Sequence, residues 1–266
     1  MGGSNDFDVN TILEAFNEVR SAEITDPSEG LRKRKKRQLR QKISDTATAM
    51  FLVHGFDQVT VAQIAEACEV SEQTLFNYFT TKESMLFDRS EPMIATVADA
   101  VRQPGSGSLF DAVVHAVTSE IHPARWDTLH DAEQLRFTRL FCEVVVNSPT
   151  LVAAQFADLQ RFIDQVSIAL AQRINAESID PEVQLATFVI AGLVGVRVRS
   201  AFHHVKHATT FATLNKLIHS DFVKAAQIAE PSLAAFDDLR KNRHQIQAAR
   251  ATAPGKQPVK GRKSTA

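Results

Sequence analysis

The sequence predicts an all-α protein, with a small N-terminal three-helix unit of helix-turn-helix type followed by a larger helical bundle. Three observations carry this expectation. Residues 60–83, TVAQIAEACEVSEQTLFNYFTTKE, hold three helix-start signals in one short stretch. Residues 149–173 place Val152, Phe156, Leu159, Ile163, Val166 and Leu170 at alternating steps of four and three, the apolar stripe of a bundle helix. Residues 181–205 are apolar nearly all round, as a helix buried among others requires.

Taken in order, residues 1–30 are acidic, and Val9, Ile12, Leu13, Phe16 and Val19 recur at helical spacing. They predict a short amphipathic helix over 10–22, either a mobile extension that folds only in part or a segment that contacts the adjoining basic arm or a partner protein. Residues 31–42, LRKRKKRQLRQK, carry eight bases and no acid. They lead into a helix whose stripe is Leu39, Ile43, Ala47, Met50 and Phe51, ended by Gly55, with Phe56 turning into a small core. Thr60 and Gln63 are spaced as a capping box, so the next helix starts at Val61 with Ile64, Ala65 and Cys68 inward. Ser71 is an N-cap and Glu72 favours the following first turn, which predicts a third helix over 72–78 with Leu75 and Phe79 in the core. Thr80 and Glu83 repeat the capping-box spacing, and the turns left between these helices have helix-turn-helix length.

These residues resemble the DNA-binding domain of the TetR/AcrR family of transcriptional regulators. The similarity lies in Thr60-Val61, Ile64-Ala65, Val70-Ser71, Thr74-Leu75-Phe76, Tyr78-Phe79 and Lys82-Glu83, and upstream through His54-Gly55-Phe56. It covers about residues 31–90, and beyond residue 90 only length and helical pattern are alike. The resemblance implies a DNA-binding domain over 31–90, a helical ligand-binding and dimerisation domain over 91–236 and a two-fold dimer; by composition, basic with Pro and Gly, residues 237–266 are expected as a disordered tail.

On that reading Glu72, Gln73, Thr74, Phe76, Asn77 and Tyr78 face DNA. Gln73 and Asn77 suit the N6 and N7 edge of adenine, while the Thr74 methyl and Phe76 suit a thymine methyl. No arginine or lysine lies within 72–78, so recognition of guanine comes from the basic arm or is absent. Tyr78, the Thr60 hydroxyl and Lys82 are expected on phosphates, with Arg34 and Arg37 of the basic run along the backbone or in the minor groove. The family more often has tyrosine where this chain has Phe76, so that hydroxyl's phosphate bond is missing. Tyr78 and Phe76 as plain core padding is the competing expectation.

Later elements follow from pattern. A helix from Thr81 is expected to run past Phe87, with Pro92 kinking or restarting it, to Val101; residues 103–108 read as a linker. Helices are predicted over 109–121, 131–147 and 149–173, with a break at His122-Pro123. Asp180-Pro181 starts another to about residue 205, and the last is expected over 210–230. Phe110, Trp126, Arg136, Phe137, Phe141, Phe156 and Phe188 are candidate walls of a pocket for an unknown small-molecule effector, hydrophobic because the chain has 17 Phe but one Tyr and one Trp. Each of these phenylalanines also reads as ordinary core. Gly192, Gly195, Phe202, Leu214, Ile218 and Phe222, on the two helices that form the dimer interface in the family, are its candidates here; those helices could instead bury each other.

Composition bounds the alternatives. The formal net charge is −1, but bases are segregated to 32–42 and the C-terminal tail. Cys68 and Cys142 lack metal-like spacing, and a reducing cytoplasm fits them; association with the nucleoid is what the resemblance to a DNA-binding family implies. The N-terminus does not read as a signal peptide, the apolar stretch 183–196 is too short to span a membrane, and no membrane partner is expected. His203, His204 and His207 have no carboxylate or cysteine to complete a metal site, and neither metal nor cofactor is expected. Motifs of an enzyme are missing: there is no nucleophile elbow and no phosphate-cradling glycine loop. The expectation is therefore a dimeric regulator of a double-stranded, partly palindromic operator, most often a repressor in this family. An activator, or a dimeric interaction module without DNA reading, is the alternative.

Overall fold

The computed structural model describes residues 8–21, 30–88, 90–102, 107–120 and 130–252. Among them it contains eleven helices and no strand. Trp126, the His122-Pro123 break and residues 103–106 of the expected linker lie outside the described residues, as do residues 253–266.

The head comprises α2 (Leu31–His54), α3 (Val61–Ala67), α4 (Glu72–Phe76) and α5 (Glu83–Leu86). It is built around Ile43, Ala47, Phe51, Ile64, Leu75, Phe79 and Met85, all buried. Gly55 ends α2 at φ +83°, a conformation that side chains disfavour, and delivers Phe56 against Phe51 with ring centroids 4.9 Å apart. The body comprises α6 (Ser90–Arg102), α7 (Leu109–Glu120), α8 (Asp131–Asn147), α9 (Pro149–Ile174), α10 (Pro181–His204) and α11 (Phe211–Thr252). Its core packs Ile94, Val113, Phe162, Leu170, Ile190 and Phe222 from α6, α7, α9, α10 and α11. α10 is long and apolar enough to cross a membrane by length and composition, but it packs between α9 and α11.

Several expectations need correction. The N-terminal helix, α1 (Val9–Ser21), is no loose extension: Ile12 and Phe16 are buried in a seam with Ala49 and Leu52 of α2 and Leu135 and Phe137 of α8. Its partner is the apolar half of α2 and the body, because a stripe of this kind gains most from apolar neighbours. The second capping box lies one residue further on. Thr81 and Ser84 exchange backbone-to-hydroxyl bonds of 3.3 and 3.2 Å, and α5 starts at Glu83. The chain breaks after α5 at Phe87 and restarts at Ser90, so Pro92 sits in the first turn of α6, where its missing N–H costs nothing. The last helix does not end near residue 230. It passes through Pro231, which is exposed, and continues to Thr252, because Leu233 and Phe236 dock in the body core and Asp237 is buried. The part of the expected disordered tail up to residue 252 is therefore helical.

The turn between α10 and α11 is held from both sides by α8. Asp131 accepts from the N–H groups of Phe211 and Ala212 at 2.9 and 2.8 Å, satisfying first-turn donors of α11. Arg139 donates to the carbonyls of Val205, at 3.0 Å, and Ala208, placing a cation at the negative end of α10.

Candidate nucleic-acid interface

Helices α3 and α4 are set in place by their caps. Gln63 N–H donates to the Thr60 hydroxyl at 3.2 Å, and Thr60 N–H donates to Gln63 Oε1 at 2.8 Å, which starts α3 as the spacing predicts. The hydroxyl of Thr60 also donates to Gln63 Oε1 at 3.1 Å, so a phosphate would have to draw its proton out of the box. Ser71 accepts from Thr74 N–H at 3.1 Å and starts α4. Between the two, Glu69 adopts φ +59°, a left-handed turn that cap spacing did not reveal. It lets the chain reverse in the few residues available, and Val70 N–H bonds Ala65 O at 3.0 Å.

α4 presents a face without cations. Glu72, Gln73 and Asn77 are exposed, and Phe76 is 44% exposed, which removes it from the core-padding reading. The Gln73 side-chain nitrogen lies 3.5 Å from Asn77 Oδ1, so the two amides are neighbours on one face. Thr74 is half-buried, with its hydroxyl 2.8 Å from that of Ser71. Tyr78 is half-buried against the head core, and Leu75 and Phe79 are buried within it. Such a face presents two amides and an apolar ring to solvent.

The basic residues divide into two groups. Residues 31–38, including Arg34 and Arg37, are exposed on the first turns of α2. The last bases of the run are turned toward the domain. Arg40 Nη1 donates to Tyr78 O at 2.5 Å, and its guanidinium lies 4.2 Å from the Phe79 ring centroid. Lys42 Nζ donates to Cys68 O at 3.0 Å, and Ser44 Oγ to Met85 O at 2.9 Å. Helix α2 thus reaches the C-terminal ends of α3, α4 and α5. Lys82, expected on a phosphate, is also turned inward. Its Nζ donates to Phe56 O at 2.9 Å and Val59 O at 3.0 Å and sits 4.0 Å from the Phe56 ring centroid. Two carbonyls and an aromatic face supply what a half-buried ammonium needs, so this side chain braces the loop before α3.

Both thiols are buried, and burial pushes Cys68 above the usual thiol range and Cys142 up to about 12. Cys68 is a small core residue rather than a redox sensor.

Among the described residues the candidate effector walls do not form one cluster: Phe137 and Phe141 share the seam, and the others lie outside it. Phe137 is buried in the seam with Phe16, its ring centroid 6.0 Å away, and Phe141 meets Phe87 edge-on at 6.4 Å. Phe110 packs on the body core, and Arg136 is exposed. Phe156 of α9 and Phe188 of α10 are 67% and 56% exposed, on the outside of the molecule. Of the dimer candidates, Leu214, Ile218 and Phe222 are buried within the chain and cannot meet a second copy, and Phe202 packs on the head and seam cores. The stripe they mark on α11 is the one that the body takes. Gly192 is exposed and Gly195 half-buried, and a Cβ at either would meet nothing within 4 Å.

Residues 43–88 match the family model described as "Bacterial regulatory proteins, tetR family". The chain is 27% identical over 183 residues to the HTH-type transcriptional regulator TcmR of Streptomyces glaucescens, covering 65% of this chain and 78% of that protein. It is 35% identical over 75 residues to YdeS, an uncharacterized HTH-type transcriptional regulator of Bacillus subtilis, covering 28% of this chain and 36% of that one.

Proposed function

We propose that this chain is a DNA-binding transcriptional regulator of the tetR family and that it acts as a homodimer on a partly palindromic operator. In this reading it is a repressor released by a hydrophobic effector. The observation that carries it is the exposed face of α4, where Gln73, Phe76 and Asn77 stand clear of the head core. Two copies would set their α4 helices in successive major grooves about 34–36 Å apart. Adenine and thymine edges suit the amides and the phenyl ring. The exposed turns of α2 with Arg34 and Arg37, and Tyr78 at the end of α4, would take the phosphates. Such binding belongs in the cytoplasm, at the nucleoid.

For the second copy, the supporting feature is a face of α10. Leu185, 63% exposed, Phe188 and Gly192 fall at steps of three and four, with Gly195 one further turn on. Leu217 and Ile228, three turns apart on α11, are exposed as well. A hydrophobic effector is supported by the body core, which is almost wholly aliphatic and phenyl. It would release DNA only to the extent that it prefers a spread pair of heads over the bound one.

The test combines selection of bound sequences from a random DNA pool with sedimentation. Wild type is expected to recover a palindromic site rich in A·T steps, and Asn77→Ala to lower its affinity by about 1–3 kcal/mol. Phe188→Glu is expected to yield monomers with weakened operator binding. A dimer unaffected by Phe188→Glu would overturn the assigned face, and a wild-type pool without enrichment would overturn the operator reading.

A further inference from the structure

We propose that Arg40 is a positioning residue for sequence reading: from α2 it holds the C-terminal end of α4 in the attitude from which Gln73, Phe76 and Asn77 reach base edges. The inference rests on the reading that α4 enters the groove. It sets Arg40 apart from Arg34 and Arg37 of the same basic run, which are expected along the DNA backbone or in the minor groove.

α4 has five residues, far too few to keep a helical axis by its own hydrogen bonds. Its attitude comes from what grips it. Ser71 holds the start and Leu75 anchors the middle in the head core. At the far end Tyr78 N–H and Phe79 N–H both return to Leu75 O, at 2.9 and 3.0 Å, which closes the last turn and leaves the Tyr78 carbonyl pointing beyond it. Arg40 meets that carbonyl at 2.5 Å while its guanidinium covers the Phe79 ring at 4.2 Å. Phe79 is itself fixed in the core, so the guanidinium is held between a rigid ring and the helix end. A planar cation can stack and donate in its own plane at once, and its charge complements the negative end of the helix. A lysine ammonium can supply the charge but not the stacked, planar arrangement. Lys42 makes the corresponding contact at the end of α3, on Cys68 O.

A residue that positions α4 and a residue that neutralises a phosphate leave different signatures. A phosphate ligand contributes to all DNA binding, and removing it lowers the salt dependence of log K by about one unit of slope. A positioning residue contributes only where α4 must fit base edges. The experiment uses the full chain, the site recovered by wild type from the random pool, and random duplex DNA. Affinities for both are measured across a salt series for wild type, Arg40→Gln, Arg40→Lys and Arg34→Gln, with circular dichroism and thermal melts as folding controls.

For Arg40→Gln the preference for the selected site over random DNA is expected to fall at least about tenfold, the discrimination that one good base contact supplies. Its affinity for random DNA and its salt slope are expected to stay within about twofold and about half a unit of wild type. Arg40→Lys is expected to lose preference as well, with the slope unchanged, and it carries the test if Arg40→Gln melts too low to bind. Arg34→Gln is expected to weaken both DNAs alike and to flatten the slope. Equal losses on both DNAs with a flatter slope in the Arg40 variants would make Arg40 a phosphate ligand and overturn the proposal. So would an unchanged preference in both. A wild-type protein that enriches no sequence removes the reading of α4, and this proposal with it, whereas an enriching wild type with indifferent Arg40 variants removes the proposal alone.

Discussion

The Ser148 hydroxyl donates to the Asp57 carboxylate at 3.1 Å, joining the loop after α2 to the 96° bend between α8 and α9. Ser148 is buried and also accepts from Leu151 N–H at 3.4 Å as the N-cap of α9. One hydroxyl therefore starts a body helix and holds the head. Ser148→Ala is expected to cost about 1–2 kcal/mol, the worth of a cap plus a bond to a charged group. Asp57→Ala is expected to cost less, since the cap survives. Denaturant titrations of both and of the double variant check this: a double variant as unstable as Ser148→Ala alone is the expected result, and simple additivity would show that the seam bond contributes nothing.

Phe16→Ala should show that α1 is part of the folded unit. Phe16 is buried beside Phe137, and a buried phenylalanine truncated to alanine costs about 3–5 kcal/mol where the site cannot collapse. A terminal helix can instead detach, which caps the loss at its docking energy. The variant is thus expected to melt lower than wild type and no lower than a chain lacking residues 1–21, by calorimetry on both. An unchanged melting temperature would place α1 outside the cooperative unit.

The far half of α11 is tied down by charge. Arg173 Nη2 lies 2.9 Å from Asp237 Oδ1, Asp237 Oδ2 accepts from Leu109 N–H at 2.6 Å, and Arg173 Nη1 donates to Val101 O at 3.0 Å. Four helices meet at this pair. Asp237→Ala is expected to destabilise the chain by about 3–5 kcal/mol, because the arginine left behind is buried. Unfolding in urea measures it, and a loss below about 1 kcal/mol would mean that the pair is solvated.

Glu69 offers the opposite sign. A side chain at φ +59° carries a strain of roughly 1 kcal/mol that glycine escapes. Glu69→Gly is therefore expected to leave stability unchanged or raise it by up to about 1 kcal/mol, and Glu69→Val to lower it by more than about 1 kcal/mol. Thermal melts that rank valine above glycine would contradict the assigned turn.

Caps and apolar spacing made most of the helices legible in the sequence, because both are local. Thr60 with Gln63, Ser71, Gly55 and Asp180-Pro181 announced their helix ends, and Ile43, Phe51, Ile64, Leu75 and Phe79 their core. What was not legible is decided by neighbours distant in sequence. Spacing marked Leu214, Ile218 and Phe222 as one stripe but not whether body or partner would cover it. Phe156 and Phe188 carry the same side chain as Phe137 and Phe162 and lie on the opposite side of their helices from the core. Lys82 could reach either solvent or the loop before α3, and only the placement of the Phe56 and Val59 carbonyls decides. Nothing near residue 230 in the sequence reveals the anchoring of Asp237 by Arg173, which carries the last helix on through Pro231.

Val145 and Leu151, on either side of the α8–α9 bend, are buried in the same cluster as Ile43, Phe51 and Leu75. The head is consequently not a detachable cassette. Transplanted alone as residues 31–90, it would carry an open apolar notch where those two side chains belong. A chimera that exchanges reading heads between regulators of this build would have to bring the bend along, or repack the notch, to remain well behaved in solution.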